Sequence, residues 1–290
     1  MSGELPGDPL REENPSSLSG VQGNAAPTRE MERRFSPAAA YAMGAAALLL
    51  VVAWSFTGVF QGSGLLDGGL GQRLARGVTV ARQFWPPDDT VRAQLQVSMI
   101  ETVQMAVVGT LLGALFAAPL SFFAARTTSL SRVLSSIIKT VMNITRATPV
   151  IVYAIILTAI VGLGKATGAI ALAVGTFVML TKLYAEALES ISSGPVEAVR
   201  AAGGNTIQTF IFGMLPQVFP NYVATTLYAF ELNLQASFIL GFVGAGGIGY
   251  DLQNYLREFA FTRVSMVLLI IIVVVNVVDF VSYRIRRAIS

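Results

Sequence analysis

The chain has 290 residues, 53% of them hydrophobic and only 13% charged, with a mean hydropathy of +0.63. Soluble domains carry about 25% charged residues, so the composition excludes an ordinary soluble enzyme and points to an all-α, polytopic membrane protein; a membrane β-barrel would alternate apolar and polar residues, whereas these runs are apolar on all sides. The net charge of +3 comes from dispersed Arg, which argues against nucleic acid, and the absence of Cys and His removes disulfides, thiolate nucleophiles, the usual general base and the usual zinc ligand.

Residues 1 to 35 are rich in Pro, Gly, Ser, Glu and Arg, lack apolar periodicity, and read as a disordered cytoplasmic segment rather than a signal peptide. A first span is expected from Ala38 to Phe60, held at its inner end by Arg29, Arg33 and Arg34. In the following connection Leu70, Leu74, Val78, Ala81 and Trp85 recur at near-helical spacing among Arg73, Arg76 and Arg82, the pattern of a short helix in the outer interface that Pro86-Pro87 ends. Residues 36 to 93 thus form one section, and 94 to 290 the main domain. A second span covers Val97 to Ala125, with Glu101 and Gln104 at its interfacial start and Pro119 as a kink. A cytoplasmic connection with Arg132 and Lys139 leads to Arg146-Ala-Thr-Pro149, where a third span begins that is either short, as spans lining a pathway often are, or completed by the residues before Pro149. The fourth runs from Gly168 to Tyr184, the fifth from Val218 to Gly241 and the sixth from Val264 to Tyr283, ending in Arg284, Arg286 and Arg287. About six spans with both termini inside place most of the 20 Lys and Arg in the cytoplasm.

The least hydrophobic segment of the second half is Glu186 to Pro220. Gly194 reads as an N-cap with Pro195 at the first helical position, and Gly203-Gly204 as the stop. Asn205 with Gln208 forms a capping box for a second short helix, which Leu215-Pro216 closes. Two short helices at an elbow on the cytoplasmic face suit docking into a partner's groove. An ordinary loop is the plainer reading of the same chemistry.

Among ionisable groups, Glu231 lies deep in the fifth span, where charge is costly and usually faces a cavity or a partner. Gln235 is four residues on. They line a pathway, or Glu231 pairs with Arg146 or Lys182 to fix helix packing. Asp279 beside Arg284 and Arg286 reads as a structural pair, and so does Glu101 near the outer end. Gly244, Gly246 and Gly249 fit the dinucleotide pattern GxGxxG, but no βαβ unit surrounds them; they end the fifth span and let backbones approach. No GxxxxGK[ST] loop occurs, so the chain has no ATPase site of that type.

The spacing Glu197-Ala198, Gly203, Leu215-Pro216 resembles the "EAA" loop of ABC-importer permeases, with Val199 and Gly213 standing where that pattern has Ala and Ile. Together with TVQMAVVGTLLGALFAAPLSFFAAR, TKLYAEALESI, LYAFELNLQASFILGFVGAGGIGY and VVDFVSYRIRR, the stretch from Gln94 to Arg287 resembles the permease subunit of phosphonate ABC importers, within the methionine-importer-like permease superfamily. The resemblance implies a homodimer in the bacterial cytoplasmic membrane, two ATP-binding subunits docked on the elbows, and an extracytoplasmic solute-binding protein. It implies no cofactor in this chain, since ATP is bound by the partner subunit. Glu197, Ala198, Gly203, Leu215 and Pro216 would form the ATPase-coupling element. Glu231 and Asn233 match the family's Glu-x-Asn pair, and Gln235 stands where the family has Arg; with Arg146 they are the candidate pathway residues. Phosphonate is the implied cargo, with phosphate and phosphite as rivals. Other classes open to these residues are a permease for another solute such as methionine, an ion-coupled secondary transporter, and an intramembrane enzyme, for which no paired catalytic groups are found.

Overall fold

A computed structural model describes residues 37–60, 70–129 and 131–289. The segment 1 to 35 expected to be disordered lies outside them, as do residues 61–69. Among the described residues all regular structure is helical. The chain divides into two compact units, one up to Gly69 and one from Leu70 onward.

The first unit contains α1 (Pro37–Phe60), a 24-residue helix without a charged residue. At 1.5 Å per residue it exceeds the ~30 Å hydrocarbon core of a bilayer.

The second unit begins with α2 (Leu70–Gln83), the amphipathic helix read from the Arg and apolar spacing. A 3₁₀ turn at Asp89–Val91 leads into α3 (Arg92–Ala124), which runs through Pro119 without ending. Then come α4 (Arg132–Arg146), α5 (Val150–Val161), α6 (Lys165–Glu189), α7 (Ser193–Ala201), α8 (Thr206–Gln208), a π-helical stretch Thr209–Met214, α9 (Leu215–Gly241), α10 (Gly247–Arg257) and α11 (Phe261–Ile289). The packing centre is α3 against α6 and α9. Gly109 and Gly113, four residues apart on one face of α3, let it meet α6 closely. A Cβ on Gly109 would stand 2.6 Å from that of Leu172, and one on Gly113 would stand 2.6 Å from that of Thr176. Lipid is as apolar as the side chains it replaces, so close backbone approach rather than water exclusion holds such helices together.

By length and apolarity alone, the described helices give fewer clear spans than the six expected. Four described helices are long and apolar enough to cross a membrane: α1, α3 (with its 3₁₀ turn), α6 and α11. A fifth exists if α4 and α5 count as one, and these are bent by 83° at Ala147–Pro149. Proline disfavours helical geometry at the residue before it, so Thr148 breaks the helix and Pro149 caps α5. The residues before Pro149 are helical, yet the bend prevents them from lengthening α5. With 12 residues, about 18 Å, α5 alone is too short to cross. α9 has the length, 27 residues, but Asn221, Thr225, Thr226, Glu231, Asn233 and Gln235 lower its apolarity. Several of these polar groups are satisfied inside the bundle rather than by water.

Charged side chains brace both ends. At the end expected outside, Lys165 Nζ lies 2.7 Å from Glu101 Oε1, and Arg263 Nε lies 3.3 Å from Asp88 Oδ2. At the other, Lys139 Nζ lies 2.6 Å from Glu189 Oε1, which also accepts the Arg126 N–H. Glu101 is therefore a structural pair, as read from sequence.

Candidate functional site

The elbow is built from local turn chemistry and one long-range anchor. The C-terminus of α7 is a Schellman motif: Gly204 N–H donates to Val199 C=O at 3.0 Å and Gly203 N–H to Arg200 C=O at 2.9 Å. This geometry puts Gly203 at φ +85°, where a side chain would be strained. Asn205 Oδ1 then accepts the Gln208 N–H, and Gln208 Oε1 accepts the Asn205 N–H, both at 2.9 Å, so the capping box is present.

Two details depart from the sequence reading. Helix α7 begins at Ser193, with Ser192 and not Gly194 at the N-cap. The side chain of Gln217 explains this: its Oε1 accepts the Ser192 N–H, and its Nε2 donates to the carbonyls of Ser192 and Gly213. Pro195 thus falls third in the helix, still within the first turn, where its missing N–H costs nothing. Leu215-Pro216 also fails to close the second helix. The chain passes from α8 through the π-helical stretch, where Leu215 N–H donates to Phe210 C=O five residues back, and continues as α9. The wider turn takes up Pro216, and the elbow is continuous with a 27-residue helix.

Val196 is buried among Ala124, Leu188, Met214 and Val218, which seats α7 on the C-terminal ends of α3 and α6 and the start of α9. Gly213 faces α7 directly; a Cβ there would meet Val196 Cα at 3.2 Å and Pro195 O at 3.3 Å. The Ile of the pattern would be crowded against α7 at this position, and glycine avoids that crowding. Glu197, Ala198, Gly203 and Pro216 are exposed, and Leu215 is half-buried.

The candidate pathway residues do not converge. Glu231 Oε1 lies 2.8 Å from Arg286 Nη2, and Oε2 lies 3.4 Å from Nη1, a forked pair between α9 and α11. Its partner is neither Arg146 nor Lys182: Lys182 sits 3.9 Å from Glu186 on its own helix, and Arg146 is exposed at the end of α4. Arg284 lies over the Phe280 ring, 5.0 Å from its centroid, and Asp279 makes no ion pair among the described residues. Asn233 points to the opposite side from Glu231. It is buried, and its Nδ2 donates to Thr110 Oγ1 at 2.8 Å and to Thr176 Oγ1 at 2.6 Å, joining α9 to α3 and α6. Gln235 is exposed.

Sequence reasoning missed a polar chain near the elbow. Tyr184 and Tyr222 stack with centroids 3.9 Å apart; the Tyr222 hydroxyl meets Ser121 Oγ, and that of Tyr184 meets Thr226 Oγ1. Hydroxyls on one helical face of an otherwise apolar span are the signal that could have found it.

A model of the family described as "binding-protein-dependent transport system inner membrane component" matches residues 94–290. The chain is 33% identical over 240 residues to the phosphite transport system permease protein PtxC of Stutzerimonas stutzeri, covering 83% of this chain and 85% of that one. It is 34% identical over 238 residues to the phosphate-import permease protein PhnE of Mycolicibacterium smegmatis, covering 82% of this chain and 43% of that one. Among solved structures it is similar to a chain from inward-facing conformations of the MetNI methionine ABC transporter, with TM-score 0.64 and 25% identity, covering 70% of this chain and 99% of that one.

Proposed function

The chain belongs to the binding-protein-dependent transport system inner membrane components, and we propose that it is the permease of an ABC importer for a small phosphorus oxyanion: phosphonate, phosphate or phosphite. What carries the choice of cargo is identity of 33–34% over more than four-fifths of the chain to permeases named for phosphite and phosphate. The relatives named for D-methionine are weaker, at 24% and 29% identity over 52% and 61% of the chain.

In this reading two copies of the chain form the gate, with both termini and the elbows in the cytoplasm. Residues 94 to 290 are the permease core, residues 36 to 93 add a span and an outer interfacial segment, and residues 1 to 35 form a cytoplasmic extension. Two ATP-binding partner subunits dock on the elbows through Glu197, Ala198 and the surface around Gly203 and Pro216. A solute-binding protein delivers the anion from outside. Closure of the ATPase pair on ATP draws the elbows together. Because the elbow continues into α9 through Leu215 and Pro216, that movement reaches the span carrying Glu231, Asn233 and Gln235. Glu231 acts as a clamp to α11, Asn233 as the node joining three spans, and exposed Gln235 and Arg146 are the groups left free to meet cargo. The chain itself carries out no hydrolysis.

Uptake in cells lacking other phosphorus importers, with phosphite, a phosphonate or phosphate as sole phosphorus source, tests the cargo. Growth restored by this chain with its ATPase and binding-protein partners is the expected result. Uptake of methionine instead, or uptake by the purified chain on an ion gradient alone, would overturn the reading. Gly203→Pro tests the coupling: proline fixes φ near −65°, opposite in sign to the native +85°, and removes the N–H that bonds Arg200. The variant is expected to insert normally and lose uptake. Undiminished uptake with ATPase still docked would remove the elbow from the mechanism.

A further inference from the structure

Two cavities adjoin at the inner end of the bundle. One, of about 440 Å³, lies between the α3–α4 connection and the elbow, lined by Thr127, Arg200, Asn205 and Thr209. The other, of about 760 Å³, is an almost wholly apolar groove between α3 and α9, bounded by Pro119, Phe219 and Val223. Phe122 and Thr206 line both.

The polar chamber offers donors without an acceptor. The Asn205 Oδ1 is taken by the Gln208 N–H, so its amide nitrogen is the end left to give. Arg200 makes no ion pair among the described residues. Thr209 is the most telling. It is 2% exposed, and its hydroxyl has no partner among the described residues. Thr102, Thr110, Thr158, Thr181 and Thr226 each donate to the carbonyl four residues back. Thr209, first residue of the π-helical stretch, does not. A buried hydroxyl without a partner is costly, and an acceptor from outside the chain would supply what is missing.

We propose that the two cavities together bind one anionic phospholipid, its phosphodiester in the chamber against Arg200, Asn205 and Thr209, and one acyl chain in the groove. One guanidinium answers the single charge of a phosphodiester, and no carboxylate among the described residues lines the chamber to receive a choline ammonium, so a lipid of net negative charge fits better than a zwitterionic one. The chamber lies just past the C-terminal end of α3, one of the helices long and apolar enough to cross a membrane. Free phosphate would use the chamber and leave the groove unfilled. A second copy of the chain seated on the groove would leave the chamber's donors unanswered. The bound lipid ties the elbow to the α3–α4 connection and so to the bilayer. The inference rests on the membrane-spanning reading, and not on the cargo proposed above.

The test is native mass spectrometry of the full-length chain released from nanodiscs of equal phosphatidylglycerol and phosphatidylcholine. Phosphatidylglycerol is expected to be retained preferentially. Arg200→Gln should reduce that preference about fivefold, the effect of one cation near a lipid surface. Thr209→Val should weaken retention, and Val223→Trp, which fills the groove, should abolish it. Equal retention of the two lipids, or a preference unchanged by Arg200→Gln, would overturn the proposal. Retention insensitive to Val223→Trp but competed by inorganic phosphate would make the chamber a free-anion site and also overturn it. Loss of a dimer in Val223→Trp without loss of lipid would identify the groove as a contact between copies, with the same consequence. Phosphorus uptake is not the readout, so failure here leaves the transport reading intact, and failure of transport leaves this one intact.

Discussion

Asn233 bonds two threonine hydroxyls on two other helices in the middle of an apolar bundle. Without water to compete, such a contact is worth about 1 kcal/mol. Asn233→Leu removes both donors while keeping the volume. Thr110 keeps its own bond to the Ala106 carbonyl, so no hydroxyl hydrogen is stranded there. The variant should lose about 1–2 kcal/mol, read as a lower midpoint in detergent thermal unfolding. An unchanged midpoint would mean that the node carries no net stability. Asp88 carries a pH dependence. Its carboxylate accepts from the Thr90 hydroxyl and N–H and faces Arg263, and these contacts, the Thr90 bonds foremost, lower its pKa below the ordinary 3.8. A depressed folded pKa stabilises above the unfolded value and loses that effect as pH falls through the folded value. Hydrogen exchange around residues 88–91 and 261–264 should therefore quicken as pH drops below about 4, after correction for the intrinsic rate. Asp88→Asn should exchange faster already at neutral pH and lack the acid step.

At the level of elements, what could be read from sequence was what neighbours in sequence decide. Gly203, Asn205 and Gln208 set their own turn and cap within a few residues, and α2 follows from the spacing of its Arg and apolar residues. The start of α7 could not be read, because Gln217 on α9 decides it from 25 positions away. The pairing of Glu231 with Arg286 spans 55 positions and depends on how α9 meets α11. The π-helical stretch is likewise a tertiary outcome: it turns the chain between a capped start and a proline while Gly213 admits α7. Gly213→Val tests that account. Its branched side chain would overlap Val196 and Pro195, so α7 should lift from the bundle. Overpacking of this kind costs about 1–3 kcal/mol. The measurable result is faster proteolysis between α7 and α8 with the spans intact. A cleavage pattern like that of the parent chain would show that the elbow absorbs the change elsewhere.

Across the second unit, the ends and the middle are held by different physics. Asp88–Arg263 and Glu101–Lys165 join helices at one end and Lys139–Glu189 at the other, all with side chains partly open to solvent. The contact of α3 with α6 and α9 relies on the uncharged Asn233 node and on glycine contacts, while the Glu231–Arg286 pair, with Glu231 mostly buried, ties α9 to α11. Salt distinguishes the two. The screening length falls from about 10 Å at 0.1 M to about 3 Å at 1 M, which weakens partly exposed pairs and leaves a buried amide–hydroxyl contact unchanged. Raising salt over that range should loosen the backbone near Asp88, Lys165 and Glu189 in hydrogen exchange and leave residues near Thr110, Thr176 and Asn233 as protected as before. The coupling proposed above, in which the gate is moved from the elbow end, requires this division, since ends that yield about a fixed centre transmit a tilt. Uniform loosening by salt would mean that the centre is held electrostatically as well, and the bundle could not then pivot about it.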